Sequence, residues 1–151
     1  QKNISPKDFL CATGEFGNSF LSEHHLHFSP RLEEGRFLTL GQWAKAATDV
    51  SDGLLQDAAK LCRQNQLGLT LFTDRVPLRD GAVLPQAFTD GEDYELLFAV
   101  APDKISALEK AWPFENTRFS VIGQFCKTTG LHDEAGQDLT QYTNSGFDHL
   151  R

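Results

Sequence analysis

Residues 94–100 read YELLFAV, a run that is apolar on both sides of an extended chain. Successive side chains in a strand point to opposite faces. Tyr94, Leu96, Phe98 and Val100 then share one face, and Leu97 and Ala99 the other. Both faces need cover, so this strand is expected inside a sheet with layers packed on each side. At 151 residues, 40% of them hydrophobic, the chain suits one domain with such a core.

Further elements surround that strand. Residues 8–13 (DFLCAT), 45–50, 67–71 and 119–125 (FSVIGQF) read as strands, and residues 131–139 as a hairpin turning at 133–136. Residues 24–28 are expected to be extended. Ser29-Pro30 reads as a cap and first helical position, opening a helix to about Leu40. From Gly53 the period changes: Leu54, Leu55, Ala58, Leu61 and Cys62 form one face of an amphipathic helix, with Asn65 and Gly68 placed to end it. Residues 85–89 suggest a helical turn. Pro102 opens a helix with Ile105, Leu108 and Trp112 inward. Strands and helices intermix with a hairpin, which favours an α+β layered domain over a strict βαβ repeat.

The net charge is −7 with no basic stripe, which argues against a nucleic-acid partner. No apolar run reaches the ~20 residues that span a bilayer. Cys11, Cys62 and Cys126 are far apart, and an odd, scattered set suits a reducing, cytoplasmic setting. The chain starts at Gln1 and has no methionine, so a piece of a longer protein is expected. Neither GxGxxG nor GxxxxGK[ST] is present.

Two acidic stretches carry the chemistry. In Asp49-Val50-Ser51-Asp52-Gly53, Ser51 or Asp52 reads as a cap on the Leu54 helix. The same turn also suits ligand binding: a helix N-terminus attracts anions, and two carboxylates three residues apart can serve one Mg²⁺, which takes oxygen ligands. Both readings stand together. Asp90-Gly91-Glu92-Asp93-Tyr94-Glu95 packs like charges into the entry of the most buried strand. A solvated turn explains Gly91; a ligand donor or metal explains the placement. His24, His25 and His27 lack the spacing of a metal site, and residues 14–17 (GEFG) read as a plain turn. Phe147 is an aromatic in a loop, either a packing plug or a surface on which a flat ring could stack.

Together these stretches resemble a known family. DVSDGLLQD followed by DGEDYELLFAV, with TGEFGNS, FSPRLEEG and the closing SGFDH in the same order, is similar to the C-terminal half of thiamine-monophosphate kinase. The likeness runs from about Lys7 to His149. Aminoimidazole ribonucleotide synthetase and its sister enzymes share the fold and variants of the first motif. The resemblance implies a layered α/β/α sandwich with a mostly antiparallel mixed sheet. It implies that the chain is a single C-terminal domain, residues 1–151, of a longer kinase. The ATP- and metal-binding N-terminal domain would lie outside it, the full-length protein would be a homodimer, and the domain alone would be inactive. The implied reaction is ATP- and Mg²⁺-dependent phosphorylation of thiamine monophosphate to thiamine diphosphate. It places Mg²⁺ on Asp49 and Asp52, an ATP phosphate on Ser51, and the substrate on Glu92 and Phe147, with no covalent nucleophile. The segment between Gly17 and Pro30 is shorter than the family's usual one. Two alternatives remain: another ATP-dependent enzyme of the superfamily with a different phosphorylated substrate, or a non-catalytic ligand-binding remnant.

Overall fold

The computed structural model describes residues 3–20 and 22–143. Its centre is a six-stranded sheet made of β1 (Phe9–Thr13), β2 (Ala44–Asp49), β3 (Gly68–Leu71), β4 (Leu96–Val100), β5 (Phe119–Cys126) and β6 (Gly130–Asp133). The order is β2-β4-β1-β5-β3-β6. All neighbours are antiparallel except β3 and β6. The sheet is therefore mixed and mostly antiparallel, as expected.

Both faces are covered. On one, Leu10, Ala12, Leu69, Leu71, Leu97 and Ala99 meet α3 (Leu54–Asn65) and α4 (Leu84–Thr89). On the other, Cys11, Phe98 and Val100 meet Leu38 of α2 (Leu32–Leu40) and Leu108 of α5 (Ile105–Ala111). β4 thus contributes alternate residues to two cores, which is why it has no polar side. Each such fully buried Leu or Phe contributes about 1.5–3 kcal/mol. Rings pack the second core edge to face: Trp112 lies 4.8 Å from Phe119 and 5.7 Å from Phe37, centroid to centroid. The Trp112 indole N–H donates to the Thr117 carbonyl at 2.7 Å.

Several boundaries differ from expectation for physical reasons. β4 begins at Leu96, not Tyr94, because Tyr94 has φ 52° and cannot continue a strand. Residues 24–28 are not extended. Glu23, at φ 57°, turns the chain into a single helical turn, α1 (His24–His27). α3 ends on Gln66 in the left-handed region, with its N–H returned to Cys62 and Arg63 carbonyls. Gly68 serves β3 instead: a Cβ there would meet the Thr128 carbonyl oxygen. In β5, Leu10 pairs with Gly123 but Cys11 with Val121, so Ile122 is an extra residue. This bulge reverses the alternation, and Ile122 and Phe125 both reach the α3 core.

Among the described residues, no helix is long and apolar enough to cross a membrane.

Candidate functional site

The two acidic stretches meet at the end of the sheet where β2 stops and β4 starts. Asp49, the last residue of β2, pairs with Leu96, the first of β4. The turns beyond them are zipped together by backbone hydrogen bonds. Val50 N–H donates to Glu95 O at 2.8 Å, Glu92 N–H to Ser51 O at 2.9 Å, and Tyr94 N–H to Val50 O at 2.9 Å. Gly91 permits the approach, since a Cβ there would lie 2.6 Å from Ser51 O. Ser51 and Glu92, 41 positions apart in the chain, are thereby fixed side by side.

The charges of residues 90–95 are sorted by the fold rather than left to repel. Asp93 and Glu95 are buried, and each has an arginine. Arg79 Nη1 donates to Asp93 Oδ1 at 2.8 Å, and Gly17 N–H to the same oxygen at 3.1 Å. Burial still pushes the Asp93 carboxyl up to about 7, against the pull of Arg79. Arg31 clasps Glu95 with two bonds of 2.8 Å, from Nε to Oε2 and from Nη2 to Oε1. Thr13 Oγ1 adds a third donor at 2.7 Å. Asp90 accepts the Asn18 N–H at 2.9 Å. Three of the four acids thus hold loops in place. Glu92, half-buried, has no side-chain role of this kind in holding the loops.

The first stretch departs from simple capping. Gly53 is the N-cap of α3, with no side-chain capping bond, so neither Ser51 nor Asp52 closes the helix. The cap runs the other way: buried Asp57, inside the first turn, accepts the N–H groups of Ser51 and Asp52 through Oδ2, each at 3.0 Å. Lys60 Nζ then bridges Asp57 Oδ1 at 2.7 Å and Asp52 Oδ2 at 2.5 Å. Asp49 is exposed, and Ser51 and Asp52 are half-buried. Backbone pairing sets Asp49 against Leu96 and Ser51 against Glu92, while Asp52 turns toward α3 and Lys60. Phe147 lies outside the described residues.

The donor chemistry, though not a gathered cluster, is of the oxygen type that a hard cation takes. Among the described residues no group of three or more His, Cys, Asp or Glu gathers at one point. Asp49 and Asp52 are oxygen donors only, and Mg²⁺ usually takes one or two carboxylates, the rest being phosphate oxygens and water. Lys60 occupies Asp52 Oδ2, so at most the other oxygen, Oδ1, would be open to a cation.

Asp57, Lys60, Arg31, Arg79 and Tyr94 were not singled out from the sequence as parts of the site. Asp57 carried a signal: it falls between Leu54 and Ala58 on the apolar stripe of α3, where an acid needs a partner. The arginines carried none, because Arg31 and Glu95 are 64 positions apart. A polar cleft of about 700 Å³ adjoins the loop; His24, Arg31, Arg79, Glu95 and Arg118 form part of its wall.

Comparison with known proteins gives the family of the fold. Residues 10–133 match the family model for AIR synthase related protein, C-terminal domain. Thiamine-monophosphate kinase of Rhodopirellula baltica is 33% identical over 135 residues, covering 82% of this chain and 42% of that protein. That of Salmonella typhimurium is 31% identical over 179 residues, covering 99% and 54%. The chain spans about half the length of these relatives. Among solved structures, thiamine-monophosphate kinase from Stenotrophomonas maltophilia superposes with a TM-score of 0.79 at 22% identity, covering 91% of this chain and 52% of that one. AaThiL complexed with AMPPCP and TMP gives 0.76 at 21%, covering 99% and 53%. Both structural likenesses concern the fold. The family match spans most of the sheet and both halves of the zipped turn, and the chain belongs to the AIR synthase related protein C-terminal domain family.

Proposed function

We propose that this chain supplies part of the site of an enzyme that moves a phosphoryl group from Mg·ATP to thiamine monophosphate, giving thiamine diphosphate. The observation that carries the reading is the zipped pair of turns, in which three backbone bonds tie Val50 and Ser51 to residues 92–95, so that the Asp49–Asp52 turn and the Glu92 turn share one end of the sheet. The relatives that share the chain's sequence are thiamine-monophosphate kinases, which supports the assignment.

Each residue has a task that follows from its place. Asp49 and Asp52 would hold the metal, and bound Mg²⁺ would supply charge neutralisation for the phosphates, the usual need of phosphoryl transfer. Asp57 holds the Ser51–Asp52 turn rigid, so the Ser51 hydroxyl is presented to an ATP phosphate at the start of α3, where the helix dipole favours an anion. Glu92 accepts from the exocyclic amine of the aminopyrimidine. Phe147 would lie on that ring. No side chain needs to form a covalent intermediate, because positioning and electrostatics dominate such chemistry. A preceding domain completes the metal site, and the full-length protein is a cytoplasmic homodimer. The three free cysteines suit that reducing setting.

The test is turnover by the full-length protein of Mg·ATP with a panel of phosphorylated acceptors. Thiamine diphosphate is the expected product. Glu92→Gln should raise KM for thiamine monophosphate about tenfold or more, as one charge-assisted hydrogen bond is weakened. Turnover of a different acceptor, with none of thiamine monophosphate, would overturn the assignment.

A further inference from the structure

One cation stands inside the Asp49–Asp57 acidic segment's reach. Lys60 lies in the second turn of α3, three residues after Asp57. Its Nζ donates to Asp57 Oδ1 at 2.7 Å and to Asp52 Oδ2 at 2.5 Å. The Asp57 side chain is 2% exposed, and Lys60 is its only ion pair among the described residues. The other Asp57 oxygen already takes the Ser51 and Asp52 N–H groups. Were Lys60 to swing out, a buried carboxylate would lose its cation, which is costly. Asp57 therefore tethers the ammonium, and the tethered ammonium keeps hold of Asp52. Asp52 is thus fixed twice from α3, its N–H by Asp57 and one carboxylate oxygen by Lys60.

An ammonium on a metal ligand weakens metal binding, because the two cations repel each other. What it gains is control over the mode of binding. Mg²⁺ is small, demands near-octahedral geometry and keeps several waters. Ca²⁺ is larger, takes more oxygens and accepts both oxygens of one carboxylate. With Oδ2 held by Lys60, Asp52 can offer Oδ1 alone. That suffices for the smaller ion and denies the larger one a ligand. We propose that Lys60 is a specificity-determining residue: tethered by Asp57, it restricts Asp52 to one-oxygen binding and so favours Mg²⁺ over Ca²⁺ at the phosphoryl-transfer site.

This inference rests on Asp52 as a metal ligand, so the test has two arms, both in the full-length protein with a non-hydrolysable ATP analogue and thiamine monophosphate. The first is calorimetric titration with Mg²⁺ and with Ca²⁺ of wild type, Lys60→Met and Asp52→Asn, the last giving the contribution of every other site. Lys60→Met should lower the ratio of Mg²⁺ to Ca²⁺ affinity about tenfold, the equivalent of one bond to a charged group. Loss of the repelling charge acts on both ions and cancels in the ratio. An unchanged ratio in a variant whose Tm shows it folded would overturn the role. The second arm needs no variant. In wild-type crystals grown with Ca²⁺, Lys60 Nζ should remain on Asp52 Oδ2, with the ion on Oδ1 alone. An ion held by both Asp52 oxygens, with Lys60 displaced, would overturn the inference whatever the titration shows, and would leave the metal reading intact. Ions that avoid Asp52 altogether would sink the metal reading and this role with it.

Discussion

Replacing Asp52 with asparagine in the full-length protein is expected to lower kcat by about 100-fold or more, the usual cost of removing one group that stabilises transition-state charge. The fold should survive. Asp52 is half-buried, and its pair with Lys60 is about a third exposed on both sides, so its loss costs at most about 1 kcal/mol. The turn also has its own support, because Asp57 keeps the Ser51 and Asp52 N–H groups and its bond to Lys60. Raising the Mg²⁺ concentration should recover part of the rate, since the amide keeps an oxygen ligand but loses the charge. Steady-state kinetics over a Mg²⁺ series, with Tm measured in parallel, checks this. A variant with wild-type kcat would remove Asp52 from the metal site.

Arg31→Ala carries the largest expected loss of stability, about 3–5 kcal/mol, because it strands a buried carboxylate. Glu95 is 2% exposed and takes two of its three hydrogen bonds from that guanidinium. The pair raises the Arg31 pKa through the Glu95 bond, so the cation is always present in the folded chain. Arg31 also donates to Thr117 at 3.1 Å, which joins the start of α2 to the segment before β5. For a chain of this size the loss corresponds to a fall in Tm of roughly 10 °C. Replacing both partners with apolar groups, Arg31→Met with Glu95→Leu, should regain much of the loss, because no unpaired charge then remains. Thermal and urea unfolding of the single and double variants measure both. A Tm within 1–2 °C of wild type for Arg31→Ala would show that water reaches Glu95.

What the sequence made readable was what local pattern controls. The two-faced run around Leu97 and Phe98 announced an interior strand, and both cores confirm it. The stripe of Leu54, Ala58 and Leu61 announced α3 and its buried face. What stayed hidden was set by long-range pairing. Asp93 and Glu95 looked like repelling neighbours of Glu92 because Arg79 and Arg31 reach them only in the folded state. The Ile122 bulge depends on how β5 meets β1, not on β5 alone. The left-handed Tyr94 depends on Val50 and Phe28, so residues 94–95 read as strand when they form a turn. The capping role fell to Asp57 rather than to Ser51 or Asp52, so the Ser51 side chain is not spent on a cap and that of Asp52 pairs with Lys60.

The most direct measurement is the anomalous scattering of Mn²⁺ in crystals of the full-length protein grown with a non-hydrolysable ATP analogue and thiamine monophosphate. Manganese peaks are expected within bonding distance of the Asp49 and Asp52 carboxylates, with the Ser51 hydroxyl on a phosphate oxygen and Glu92 on the acceptor's ring. Peaks confined to other residues, with Asp52 bound only to Lys60 and Asp49 in water, would contradict the account.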